Sequence, residues 1–224
     1  MPSSELAHFL NVAIDIQAPP FPGVHVDDGV ILATNGIMLV AKKYDVVFVR
    51  GEGAISPKAA RVLEALAEAT WIGSVAVVGN RVTATAQTTR YDEQLGAEVA
   101  GAYREVTLPE FYCPRVPVAR MLGVLTDESQ GWQQIVENPR IKNVKEWSVK
   151  EFVTLMSNPR EGYELFRLKD IDDEHWYSVA QLRRGLRLFG ARARLSVRRN
   201  ARGWLAFEDG YGQMFAITPF VKRN

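Results

Sequence analysis

The chain has 224 residues, of which 27 are Lys or Arg and 26 are Asp or Glu, so its formal net charge is +1. Hydrophobic residues make up 47% of the sequence, a composition that excludes a disordered or fibrous chain. Cys113 is the only cysteine, which excludes an internal disulfide and a zinc site made of several thiolates. The length suits two domains of about 110 residues each.

The sequence carries no sign of export or membrane insertion. Residues 1–5 lack the basic and apolar parts of a secretory signal, and no stretch approaches the roughly 18 consecutive apolar residues of a membrane span. We therefore expect a cytoplasmic protein that does not enter a membrane.

The sequence pattern of residues 1–113 predicts the same arrangement twice, namely a helix followed by short strands. The first helix has Ser4 as its cap, repeats apolar residues at helical spacing and ends before Pro19 and Pro20. The second helix begins at Ser56 and Pro57, with an apolar stripe at positions 59, 62, 63 and 66. Strands are predicted at residues 24–26, 30–33, 37–41, 46–49, 75–78, 82–86 and 99–108. The succession indicates an α+β domain built from two half-domains, each a helix with an antiparallel sheet.

Residues 114–224 are predicted to form a second domain, in which residues 127–165 give the weakest pattern. Helices are predicted at residues 118–125, 148–156 and 178–189, and strands at residues 165–168, 192–198, 203–207 and 213–218. The C-terminal part again has a helix followed by strands.

Basic residues cluster near the C-terminus. Between Ser178 and Phe207 the chain has no acidic residue and eight arginines, at positions 183, 184, 187, 192, 194, 198, 199 and 202. The first three lie on the helix face opposite Leu182 and Leu186. Charge of one sign in one segment is typical of a surface that contacts phosphates, so duplex DNA is the favoured ligand.

Five segments resemble, in the same order, the bacterial DNA polymerase sliding clamps. Residues 24–40, VHVDDGVILATNGIMLV, are similar to the family's succession of a strand, an acidic-glycine turn, an Ala-Thr-Asp/Asn-Gly turn and a final strand. Residues 55–63 resemble the start of its second helix, and residues 108–112, LPEFY, resemble a signature that closes a domain. Residues 176–182 resemble the start of the last helix, and residues 214–219 resemble the closing strand that ends in proline.

The resemblance implies a DNA clamp fold, in which helices line a central hole and sheets form the outer wall. A ring of six such domains is a homotrimer when each chain has two, as in phage-like clamps. The implied function is a processivity factor without catalytic residues or cofactor, which encircles duplex DNA and tethers a DNA polymerase or another replication protein. The alternative is a clamp-fold binding or assembly module that does not encircle DNA.

The resemblance also suggests which residues make contacts. DNA contact is predicted for basic residues on helices, namely Arg183, Arg184, Arg187, Lys58, Arg61 and Arg120. Docking of a partner peptide is predicted near the closing strand, at Met214, Pro219 and Phe220.

An unrelated enzyme is the third hypothesis, but the sequence offers it little. Gly51, Glu52 and Gly53 imitate a dinucleotide-binding turn, yet Ser56 replaces the third glycine. The three histidines, at positions 8, 25 and 175, lack metal-ligand spacing. The acidic run at residues 170–174 lacks the pattern of a calcium loop and is interpreted as a solvated loop.

Overall fold

A computed structural model describes residues 2–136, 165–166, 175–189, 193 and 195–220. The chain divides into two compact units. Unit 1 comprises Met1–Ala33 and Lys43–Val118, and unit 2 comprises Thr34–Lys42 and Ala119–Asn224. The predicted helix at residues 148–156 and the acidic run at residues 170–174 lie outside the described residues.

The described elements alternate between helices and groups of short strands. The helices are α1 (Pro2–Ile16), α2 (Pro57–Ala69), α3 (Val118–Thr126) and α4 (Val179–Leu186), and a 3-10 turn spans Glu128–Gln130. The first seven strands are β1 (Val24–Asp27), β2 (Val30–Thr34), β3 (Met38–Lys43), β4 (Val49–Ile55), β5 (Ile72–Gly79), β6 (Arg81–Asp92) and β7 (Ala97–Thr107). The remaining strands are β8 (Gln133–Val136), β9 (Leu165–Phe166), β10 (Tyr177–Ser178), β11 (Ser196–Arg199), β12 (Leu205–Glu208) and β13 (Gln213–Ile217).

Unit 1 places α1 and α2 against a sheet with the strand order β7-β6-β5-β4-β1-β2. Neighbouring strands are antiparallel, except that β4 and β5, which flank α2 in sequence, are parallel. The predicted apolar residues of α1, Leu6, Phe9, Leu10 and Ala13, are all fully buried. Because α1 begins at Pro2, Ser4 lies inside the helix and the predicted cap is wrong. The adjacent Ser3 hydroxyl instead donates to the Ile72 carbonyl and accepts from the Ile72 N–H.

Helix α2 starts where the sequence predicts. The Ser56 hydroxyl accepts a hydrogen bond from the Ala59 N–H at 3.2 Å, and Pro57 occupies the first helical position. The buried stripe is composed mostly of small residues, namely Ala59, Ala60, Leu63 and Ala67. Val62, predicted to face inward, is 41% exposed, since the core contacts the alanine side of the helix.

Strand β4 begins later than predicted because Asp45 forms a turn. Its carboxylate accepts from the Val47 N–H at 2.8 Å and its carbonyl accepts from the Phe48 N–H at 2.9 Å. Val46 and Val47 are consequently exposed, and the strand runs from Val49 to Ile55. It therefore contains the glycines of the apparent dinucleotide-binding turn, which pair with β5 instead of forming a phosphate loop.

Unit 2 has the strand order β3-β13-β12-β11-β8, with the described pairs antiparallel, and a separate β9-β10 pair. Helix α4 packs on β13. Under it, the Phe207 and Phe215 rings stack with centroids 5.3 Å apart. Gly185 of α4 lies directly over Phe215, so a Cβ at this position would overlap the ring. This contact fixes which side of α4 faces the sheet.

Candidate nucleic-acid interface

Helix α4 presents a basic surface because its other side is held in the core. The Ser178 hydroxyl caps the helix by accepting from the Gln181 N–H at 3.3 Å. Leu182, Gly185 and Leu186 are buried against the sheet. The opposite side is exposed and carries the predicted arginines, Arg183, Arg184 and Arg187. Their position in the C-terminal half of the helix also suits the negative end of its dipole.

Arg198 does not share this surface. Val197 pairs with Phe207, whose ring lies under α4, so strand alternation places Arg198 on the other side of the sheet. There the Arg198 guanidinium is 3.2 Å from the Glu208 carboxylate and 5.6 Å from the Trp132 ring centroid. Arg198 therefore lies apart from the surface that Arg183, Arg184 and Arg187 share.

Other arginines of the cluster have separate environments. Arg202 is exposed in a turn that Asn200 organises, since the Asn200 side-chain oxygen accepts from the Arg202 and Trp204 N–H groups. Arg199 is half-buried at the end of β11, and residues 192 and 194 lie outside the described residues.

Arg120 is exposed on α3, which supplies a second basic position in unit 2. Val118 and Leu125 are the buried residues of this helix. The Trp132 indole N–H donates to the Val124 carbonyl at 3.2 Å, which ties the segment after α3 to the helix. The basic group of Arg120 thus lies on a helix with a defined inward side.

The two predicted basic residues of α2 are also exposed, but they share their surface with acidic groups. The Lys58 ammonium lies 4.6 Å from the Phe111 ring centroid, a cation–π contact. Arg61 is exposed next to it. Glu68 is exposed and Glu64 half-buried on the same side of α2.

Helix α1 adds no basic group to this side of unit 1. Its exposed residues are Ser4, Glu5, His8, Asn11 and Asp15. The Asn11 amide donates to the Glu64 carboxylate at 2.7 Å and so joins the polar sides of α1 and α2. The polar side chains of the two helices therefore include two cations and four carboxylates.

The three residues predicted to bind a partner differ in accessibility. Met214 is only 7% exposed within β13, whereas Pro219 is half-buried and Phe220 is 43% exposed beyond the end of the strand. The Phe220 N–H donates to the Trp176 carbonyl at 2.5 Å. Accessible surface for a partner is thus offered by Pro219 and Phe220 more than by Met214.

The described residues form no candidate metal site, and two potentially reactive side chains are buried. Within the described ranges, no three side chains of His, Cys, Asp or Glu are grouped closely enough to hold a metal ion. His25 is fully buried in β1 and both of its ring nitrogens lack a hydrogen-bond partner. Desolvation lowers the pKa of His25 to about 4, so the ring is neutral at physiological pH. Burial likewise raises the pKa of the Cys113 thiol, which makes it a poor nucleophile.

Comparison with solved structures identifies the fold. The DNA polymerase sliding clamp of Pseudomonas aeruginosa is similar with a TM-score of 0.60 and 12% identity, over 98% of this chain and 64% of that one. The sliding clamp of Caulobacter crescentus gives a TM-score of 0.56 and 12% identity, over 98% of this chain and 64% of the clamp. The sliding clamp of Bacillus subtilis gives a TM-score of 0.55 and 13% identity, over 99% of this chain and 63% of the clamp.

The chain therefore has the fold of a DNA sliding clamp. The predicted α+β class and clamp fold are confirmed, and so is the predicted resemblance to DNA sliding clamps. The chain spans about 64% of the length of the Pseudomonas and Caulobacter clamps. Neither protein-family models nor curated protein sequences gave a match. No helix in the described part of the chain is long and apolar enough to cross a bilayer.

Proposed function

We propose that this protein is a sliding-clamp-like processivity factor that holds duplex DNA and catalyses no reaction. The observation that carries the proposal is the exposed side of α4, where a clamp-fold helix presents Arg183, Arg184 and Arg187. Long side chains on a solvent-facing helix can exchange one phosphate for the next without reading bases. A protein that slides on DNA needs contacts of this kind.

The proposed assembly is a closed ring in the cytoplasm. Residues 1–113 and 114–224 would each form one clamp-like domain, although Thr34–Lys42 belongs to unit 2 and residues 114–118 belong to unit 1. Three chains would then supply the six domains of a ring. This subunit count is that of a phage-like homotrimer.

Further contacts are proposed on both units. In unit 2, Arg120 would add a phosphate contact from α3, and in unit 1, Lys58 and Arg61 would do so from α2. A DNA polymerase or another replication protein would dock a short peptide near the end of β13. Pro219 and Phe220 would supply its accessible surface, and Met214 would lie beneath.

Binding of a duplex of random sequence tests the role of α4. Replacing Arg183, Arg184 and Arg187 by alanine should weaken binding and reduce the slope of log affinity against log salt by about 0.9 for each phosphate that is no longer neutralised. Fluorescence anisotropy at several salt concentrations measures both quantities.

A matched control removes the same charge from the sheet of unit 1. Arg50, Arg81 and Arg104 are exposed strand residues, and their triple alanine variant should retain most of the affinity. Equal losses in the two triple variants would show that binding depends on net charge and would contradict a role for α4.

Polymerase run length on a primed template tests the processivity role. Addition of the protein should lengthen the products made by the polymerase with which it works, and the α4 triple variant should not. If the wild-type protein leaves the product length unchanged, this role is wrong.

A clamp-fold module that does not encircle DNA is the second candidate. The observation that favours it is the four carboxylates on the polar sides of α1 and α2, a poor lining for a hole that holds DNA. Light scattering after size exclusion separates the candidates. A trimer supports the ring, and a monomer at micromolar concentration supports the module.

A further inference from the structure

The polar surface formed by α1 and α2 differs in charge from that of α4. We define the α1–α2 face by the polar residues that these helices present, namely Glu5, His8, Asn11, Asp15, Lys58, Arg61, Glu64 and Glu68. The exposed side of α4 has three arginines, and no residue of this helix is acidic. The α1–α2 face should therefore attract a phosphate backbone less than the exposed side of α4 does.

We infer that Glu64 and Glu68 weaken the DNA contacts proposed for Lys58 and Arg61, so that the basic helices of unit 2 supply most of the affinity for a duplex. The inference rests on the proposed function, because it concerns how a duplex is shared between the two units. It assigns these carboxylates a role in setting the affinity and the position of DNA contact.

The position of the carboxylates on α2 supports this role. Glu64 and Glu68 are one helical turn apart, and Arg61 precedes Glu64 by three residues, so all three lie on one side of the helix. Asn11 holds the Glu64 carboxylate at the surface through its 2.7 Å hydrogen bond. A phosphate that approached Arg61 would therefore approach Glu64 and Glu68 as well.

The four carboxylates of the α1–α2 face outnumber its two cations. Lys58 makes a cation–π contact with Phe111, and α1 contributes Glu5 and Asp15 but no Lys or Arg. A phosphate about 7 Å from a carboxylate in water loses roughly twofold to threefold in affinity at low salt. Two such carboxylates would reduce the affinity by about fivefold.

Reduced contact fits a protein that must move along DNA. Each phosphate neutralised by a cation adds to the affinity through counterion release, so contacts on every helix would hold the duplex tightly. With unit 1 contributing little, the α4 arginines set the strength of binding and each contact can exchange quickly.

The test is a gain of affinity in the double variant Glu64→Gln, Glu68→Gln. Glutamine keeps the shape of glutamate and the oxygen that accepts from Asn11, so the fold should persist. Circular dichroism and thermal unfolding check that it does. In anisotropy measurements with a random-sequence duplex at low salt, affinity should rise about fivefold, and the difference should shrink as salt is added.

A matched control is the pair Glu98→Gln, Glu105→Gln on β7, where both glutamates are exposed on the sheet. This pair changes the net charge by the same amount and should alter affinity less than twofold. Unchanged affinity in the α2 variant, or an equal rise in the β7 variant, would overturn the inference.

The α4 triple alanine variant is measured in the same series. If DNA binding is insensitive to it, the proposed function fails whatever the glutamate variants do. If binding requires α4 but the α2 variant gains nothing, the inference alone fails.

Discussion

Replacement of Gly185 by alanine should destabilise unit 2 although it favours the helical backbone. In an ordinary helix interior, Gly→Ala stabilises by up to about 1 kcal/mol. At Gly185, however, the new Cβ would overlap three atoms of the Phe215 ring, which is fully buried in β13. Overpacking of a core typically costs about 1–3 kcal/mol. Because three ring atoms are overlapped, the cost should lie in the upper part of this range, and the unfolding free energy should fall by about 1–2 kcal/mol.

Urea unfolding followed by circular dichroism measures the change. The control is Gly123→Ala in α3. Apart from its two chain neighbours and the backbone of its own helix, an added Cβ at Gly123 would meet no atom of the described residues within 4 Å. This variant should gain stability by as much as about 1 kcal/mol. The reasoning would be refuted if Gly185→Ala were as stable as the wild-type protein, because the packing of α4 on Phe215 could not then be as close as described.

Three further predictions concern unit 1. Burial lowers the pKa of His25 to about 4, so its contribution to the unfolding free energy is fully present above the unfolded-state pKa of about 6.5. This contribution is lost as the pH drops towards 4, and the unfolding free energy should fall by about 2 kcal/mol between pH 7 and 5. Urea unfolding at both pH values should show a smaller fall in unfolding free energy for His25→Leu than for the wild-type protein. The control His8→Gln, which replaces an exposed ring, should fall as the wild-type protein does; equal falls in all three proteins would contradict the prediction. Ser56→Ala should lower the unfolding free energy by about 1 kcal/mol through loss of the α2 cap, and an unchanged urea midpoint would count against the cap. Gly51→Ala should cost roughly 1–3 kcal/mol, since Gly51 has φ +84° and its Cβ would overlap the Val77 carbonyl; a melting temperature equal to that of the wild-type protein would argue against this geometry.

Elements with strong local signals could be predicted from the sequence. The Ser56 and Pro57 pair starts α2, and Ser178 caps α4, because a cap acts on N–H groups only two or three residues away. The exposed side of α4 followed in the same way from Leu182 and Leu186, since helical periodicity fixes which residues face outward.

Features that depend on residues distant in sequence could not be predicted. The salt bridge between Arg198 and Glu208 forms across a strand pair, and the side of the sheet on which it lies follows from register and from the packing of Phe215 under α4. The hydrogen bond from Asn11 to Glu64 joins residues of two helices that are 53 positions apart in the sequence. The late start of β4 has a local cause, the Asp45 turn. It was missed because the valines at positions 46, 47 and 49 favour a strand in the sequence pattern.

The clamp fold itself was predictable because five short segments occur in the family's order, although each alone is common. Identity of 12 to 13% with the solved clamps leaves few residues to compare individually. The trimeric ring, the contacts with DNA and the polymerase partner therefore stay predictions, to be decided by experiments on this protein.

Electron microscopy of the purified protein, with and without a duplex, tests the central proposal most directly. We expect a closed particle of three chains with a central opening wide enough to admit a duplex, and density for the duplex within it. A single chain, or a compact particle without an opening at concentrations that support polymerase extension, would contradict the proposal that this protein encircles DNA.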